Sequence, residues 1–178
     1  MSGVAQLKRA AGVRAAELGD EPVAGPLVLD MARYVPAMLI HISNKMSTGA
    51  NATYRRLFGA SVTDWRVLSQ LAIEPNIPAQ RICEVIGFDK AIVSRVVRAL
   101  QSRGLVRISA DESDSRRLRI ALTSKGWKLH DRMILVALER ERLLLSGLTP
   151  KEVDLLCDLL SRLHDKVRLA NDCDADQA

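Results

Sequence analysis

Residues 111–120 read DESDSRRLRI, with three acids within four positions and then three arginines within four. Guanidinium groups donate planar, forked hydrogen bonds that match phosphates and base edges, so their chemistry is recognition of an anion and not bond making. Three settings compete for such a run: a solvated loop, a salt-bridged hairpin tip, or a finger that reaches a polyanion. A second candidate lies just upstream in DKAIVSRVVRALQSRG. At 100° per residue, Ile92, Val93, Val96, Val97 and Leu100 share one side of a helix. Lys90, Ser94, Arg95, Arg98, Gln101 and Ser102 share the other, with Ala91 beside Lys90 in the first turn. That polar side is either an ordinary solvated face or a reading surface.

A third cluster suits a small ligand. Tyr34, Met38 and His41 follow i, i+4, i+7 spacing on one helix, and Asp64, Trp65 and Arg66 open the next. Arg33 or Arg66 would hold a ligand carboxylate by a bidentate contact. Capping by Asp64, core packing by Trp65 and dimer packing by the first helix explain the same residues without a ligand.

Other chemistries find no support. His41, His130 and His164 are far apart, and none pairs with another His or Cys at metal-ligand spacing. Cys83, Cys157 and Cys173 form no CxxC, which points to reduced structural thiols. No nucleophile–base pairing, phosphate loop or metal motif appears, so neither enzymatic activity nor a cofactor is expected.

The elements that position these clusters follow from local signals. Leu27 to about Gly49 has a helical pattern, and Pro36 inside it predicts a kink or a division. Ser61 and Asp64 are spaced as a capping box. Pro78 suits the first position of the next helix, and Gly87 its left-handed end. Asp89 is a good N-cap for the helix that Gly104 ends. LVRIS and LRIAL then alternate with period two, as paired strands do, which puts DESDSRRLRI at a hairpin tip anchored by Leu118 and Ile120. Thr123 caps a long helix reaching about Gly147. TPKE at 149–152 starts a last, leucine-striped helix that favours a dimer interface over a core.

The expected fold is mainly α with a small β-hairpin wing: a winged helix-turn-helix core, about 61–122, flanked by dimerisation helices at about 27–49 and 123–170. Residues 1–26 are expected to form an arm or short helix before a single 27–170 domain, and 171–178 a disordered tail. The chain's 178 residues suffice for one cored domain, and 48% apolar residues with only 3% aromatics favour packed helices. Its excess of basic residues is +5, and the 31 residues from Asp89 to Arg119 carry eight bases against four acids. Most of the positive excess therefore sits on the helix and hairpin that would meet nucleic acid. With no apolar run near the roughly 20 residues of a membrane span and no signal-peptide core, a soluble cytoplasmic protein is expected.

The strings DWRVLSQL, DKAIVSRVVRALQSRGLV and DSRRLRIALTSKG, in this order and spacing, resemble the MarR family of bacterial transcription regulators. The resemblance runs from about Leu27 to Ala170 and is densest from Ser61 to Gly126. It implies a homodimer with intertwined terminal helices that binds a pseudo-palindromic double-stranded DNA operator. It also implies repression relieved by a small effector, often an aromatic carboxylate or phenol. Ser94 and Arg95 match the family's recognition-helix pair, directed to phosphate or base. Asp114 and Arg116 match the wing's Asp-x-Arg, with Arg116 in the minor groove, Asp114 holding its guanidinium and Arg117 left for phosphate. Thr123 and Gly126 match a structural LTxxG. Peroxide-sensing relatives carry an early reactive cysteine, whereas no cysteine precedes Cys83 here. A redox response through Cys83 and a winged-helix protein-interaction module remain the alternatives.

Overall fold

A computed structural model of the chain describes residues 29–111, 114 and 116–172. The expected N-terminal arm and the residues from 173 onward lie outside this range, as does Glu112. The described residues fall into two compact units divided after Gly126.

In the first unit, α1 (Val35–Phe58) is followed by α2 (Val62–Ile73), α3 (Ala79–Ile86), α4 (Lys90–Ser102), β1 (Val106–Ala110) and β2 (Leu118–Leu122). The fold class is the expected one, a mainly helical chain with a two-stranded antiparallel wing. One expectation is corrected. Pro36 neither kinks nor divides α1 but stands in its first turn, and the helix runs on past Gly49 to Phe58. The first turn has no intrahelical acceptor for its N–H groups, so a proline costs nothing there. Arg33 accordingly precedes the helix and Tyr34 is its N-cap.

Local signals set the other ends. The Ser61 amide donates to Asp64 Oδ2 at 2.8 Å, and the Asp64 amide donates to Ser61 Oγ at 3.0 Å, completing the capping box of α2. Asp89 accepts the Ile92 amide at 2.8 Å. Gly87, at φ +69°, ends α3 and makes the α3–α4 turn short. At the end of α4, Leu105 N donates to Leu100 O and Gly104 N to Gln101 O, a Schellman closure that delivers the chain into β1.

Val67, Leu68 and Leu71 of α2, Ile82 of α3, and Val93, Val97 and Leu100 of α4 make the buried core, which Leu105, Val106, Ile120 and Leu122 extend under the wing. Leu118 departs from its expected anchoring role: 57% of it is exposed, because it stands at the tip end of β2, beyond the core. A third, one-residue rung completes the wing. Ile77, between α2 and α3, exchanges both backbone hydrogen bonds with Ile120, at 3.2 and 2.9 Å.

Thr123 closes the unit. It accepts the Gly126 amide at 3.0 Å and donates its hydroxyl to Gly104 O at 2.7 Å. These contacts start α5 (Ser124–Leu144).

In the second unit, the rest of α5 is followed by α6 (Pro150–His164) and α7 (Val167–Asn171). The last helical stretch is thus broken near Asp165 and not continuous. Trp127 meets His130 edge-on, with ring centres 5.6 Å apart. Leu155, Leu156, Leu159, Leu160 and Leu163 of α6 are all exposed. Thr149 and Glu152 form the predicted capping box. The Thr149 amide, and then its hydroxyl, hold the Glu152 carboxyl below its ordinary value of 4.5. A depressed acid stabilises the fold above its unfolded pKa, and that contribution is lost as pH falls through the folded value. The stability difference between wild type and Glu152→Gln should therefore shrink below pH 4.5 in thermal melts. A difference constant from pH 7 to pH 3 would contradict this origin.

Candidate nucleic-acid interface

The α4 face opposite the core carries Lys90, Ala91, Arg95 and Arg98, all exposed, with Ser94 half-buried among them. The core pattern forces this arrangement, since burying Val93, Val97 and Leu100 turns the alternate positions outward. Arg95 donates Nε to the Ala91 carbonyl at 3.3 Å, lying back along its own helix. Lys90 occupies the first turn, just after the Asp89 cap.

At the wing, Asp114 accepts from Arg116 twice. The Arg116 amide reaches Asp114 Oδ1 at 3.1 Å and its Nε reaches the same oxygen at 3.3 Å. The Arg116 side chain is 91% exposed, so it is held by Asp114 yet open to solvent. Arg117 is not left alone as expected, because its Nε lies 3.4 Å from the other Asp114 oxygen. One carboxylate therefore steers two arginines. The third, Arg119, pairs with Asp111 at the base, and Asp111 also accepts the Asp114 amide at 3.3 Å. Acids before arginines thus build a two-tier brace: Asp111 fixes the base and Asp114 the tip. The Asp114–Arg116 contact is the one the Asp-x-Arg match implied; the partners of Arg117 and Arg119 were not legible, because charge order alone does not say which acid takes which base.

Two further cations turn out to have partners within the chain. Arg103 Nη1 lies 3.4 Å from Asp64 Oδ2, joining the end of α4 to the start of α2. Arg107 Nη2 donates to Asn76 Oδ1 at 3.2 Å, tying β1 to the loop that carries Ile77. Glu74 joins that loop to α3 through a bidentate contact with Arg81, whose guanidinium pKa this carboxylate raises. The partners of Arg103 and Arg107 are 39 and 31 residues away, beyond the reach of any spacing rule.

The candidate effector residues divide into two groups. Asp64 is spent on the capping box and Arg103. Trp65 packs against Tyr54, with ring centres 6.0 Å apart. Arg66 donates to Ser47 Oγ at 2.9 Å and lies over the Phe88 ring. Ser47 marks the α1 face turned to α2. Met38 is half a helical turn off that face, and His41 and Tyr34 are more than 100° from it. Met38 and His41 are exposed and Tyr34 half-buried, while Arg33 is exposed ahead of the helix. Within one chain, then, the α1 group and the Asp64–Trp65–Arg66 group do not line a common wall.

Among the described residues, no cluster of three His, Cys, Asp or Glu could hold a metal ion. None of their helices is long and apolar enough to cross a membrane.

The helix-turn-helix and wing match known proteins. A sequence model described as MarR family matches residues 58–117. The uncharacterised HTH-type transcriptional regulator YwaE of Bacillus subtilis (strain 168) is 26% identical over 123 residues, covering 69% of this chain and 70% of that protein. The crystal structure of a MarR/EmrR family transcriptional regulator from Acinetobacter sp. ADP1 superposes with a TM-score of 0.75 at 31% identity, over 79% of this chain and 99% of that one. The PcaV transcriptional regulator from Streptomyces coelicolor, solved with its natural ligand, shares the fold at 23% identity and a TM-score of 0.66, over 78% of this chain and 96% of its own. At 31% identity across nearly the whole of the Acinetobacter protein, this chain belongs to the MarR family of DNA-binding transcriptional regulators.

Proposed function

We propose that the chain is a homodimeric repressor that leaves a pseudo-palindromic operator when a small ligand, such as an aromatic acid or phenol, binds. The observation that carries the DNA part is the pairing of two exposed cationic surfaces on one core: the outer face of α4 and the wing tip. A helix fits the major groove, and an arginine beside it suits the more negative minor groove. Lys90, Ala91, Ser94, Arg95 and Arg98 would read the major groove. Arg116, aimed by Asp114, would enter the minor groove, with Arg117 on phosphate.

Support for the homodimer comes from the unpartnered leucines of α6 and from exposed Met38, Leu39 and Ile42 on α1. Apolar faces of this kind are usually covered by another subunit. In a dimer the two reading helices would stand about one DNA turn, roughly 34 Å, apart. The ligand part draws on the PcaV likeness. Met38 and His41 stand exposed on α1, with Arg33 and the half-buried N-cap Tyr34 just ahead of it, so a second chain would have to complete their pocket. Asp64, Trp65 and Arg66 would contribute only by giving up their present partners.

DNase I footprinting on a duplex selected by the protein from a random pool tests the DNA reading. Two protected segments centred one helical turn apart are expected, and a single short footprint would overturn the dimeric arrangement. Adding aromatic carboxylates to the complex tests release. Footprints unchanged across a panel of such acids and phenols would remove that effector class.

A further inference from the structure

Arg66 is half-buried and touches two elements at once. Its Nη2 donates to Ser47 Oγ of α1 at 2.9 Å, and its guanidinium carbon lies 5.3 Å from the centre of the Phe88 ring. A cation at that distance over an aromatic face is attracted by the ring quadrupole, more strongly where water is partly excluded. Phe88 is the middle residue of the three-residue turn between α3 and α4, flanked by Gly87 and the Asp89 cap of α4. Nothing separates it from the first turn of the reading helix except that cap. A shift at Phe88 is therefore passed directly to Lys90 and Ala91.

The far end of α4 is held from the same part of α2, where Asp64 takes Arg103. The first turns of α2 thus grip α4 just before its N-terminus and at its C-cap. Of the two grips, the Arg66 contact is the one that also reaches α1. We propose that Arg66 is a positioning residue for DNA reading: by bridging Ser47 and Phe88 it sets the angle at which α4 meets the groove, and makes that angle depend on α1. The proposal rests on α4 being the reading helix. Arg66 does not touch DNA itself; it acts through Phe88.

The test compares wild type, Arg66→Met, Phe88→Leu, Phe88→Trp, the Arg66→Met/Phe88→Leu double variant and Arg95→Ala. Each is titrated against the duplex selected by the wild type and against an unrelated duplex of equal length, with melting temperatures recorded alongside. Arg66→Met and Phe88→Leu should each weaken binding to the selected duplex by about fivefold to tenfold. Binding to the unrelated duplex should be unchanged. Phe88→Trp, which keeps the aromatic face, should bind like wild type. The double variant should be no weaker than the worse single one, as expected for two halves of one contact. The slope of affinity against salt should not move, since no phosphate contact is lost.

Equal losses on both duplexes that follow the melting temperature would overturn the proposal, as would additive losses in the double variant. If the wild type selects no duplex, or Arg95→Ala binds like wild type, the DNA-reading assignment of α4 itself fails. If Arg95→Ala weakens binding and Arg66→Met does not, only the positioning role fails.

Discussion

Replacing Arg116 with alanine should lower affinity for the selected duplex by at least tenfold, and Arg95→Ala should do the same. A side chain reading a base edge is worth about 1–3 kcal/mol, and a dimer loses two copies of it. The same variants should bind an unrelated duplex only slightly less well, because one charge among many is a small part of the phosphate attraction. Arg116→Lys separates charge from shape. It keeps the charge but not the planar fork, so it should recover only part of the loss.

Asp114→Ala sets two effects against each other. Removing a carboxylate near phosphates strengthens general attraction, while freeing Arg116 and Arg117 loses their common orientation. Selected-site binding should fall while non-specific binding rises, and the ratio of the two is the quantity to measure by gel shift. If Arg95→Ala and Arg116→Ala both leave selected-site affinity intact, neither surface reads DNA.

Gly126→Ala should unfold the protein about 6 °C earlier. A Cβ at this position would lie 2.0 Å from the Leu105 carbonyl oxygen, a backbone atom that cannot rotate away. That same oxygen accepts the Thr123 amide at 3.0 Å, so relieving the clash stretches a bond that starts α5. Overpacking costs about 1–3 kcal/mol and a lost hydrogen bond about 1 more. Better helix propensity returns only about 1 kcal/mol, so the clash wins. In a chain of this size the resulting net loss of about 2 kcal/mol is worth roughly 6 °C. Gly147→Ala is the control, since a Cβ there meets nothing within 4 Å. Calorimetry showing equal melting temperatures for the two variants would refute the argument.

Whether a feature was legible in the sequence depended on how far apart its partners lie. The Ser61–Asp64 and Thr149–Glu152 boxes, the Asp89 cap and the Gly87 turn are contacts over a few residues, and residue type plus spacing specifies them. The polar face of α4 followed from helical periodicity for the same reason. Arg103 with Asp64, Arg107 with Asn76 and Arg66 with Ser47 were not legible, because many arginines could serve each acceptor until tertiary packing selects one. Periodicity also misread boundaries. Apolar residues continue upstream of Pro36, so the pattern placed the helix start too early. Alternation likewise turned Leu118 inward, although the core ends before it does.

The rung between Ile77 and Ile120 changes how the wing can move. Because both polar groups of Ile120's backbone are spent on Ile77, β2 is the middle strand at that level and β1 the free edge. The hairpin cannot peel away by breaking β1–β2 pairing alone, since β2 remains fastened to the segment leading into α3. In hydrogen exchange, the amides of Ile77 and Ile120 should open together, as one event. A force applied at the wing tip is therefore carried through β2 into the helix-turn-helix, so wing and helices bear load in series.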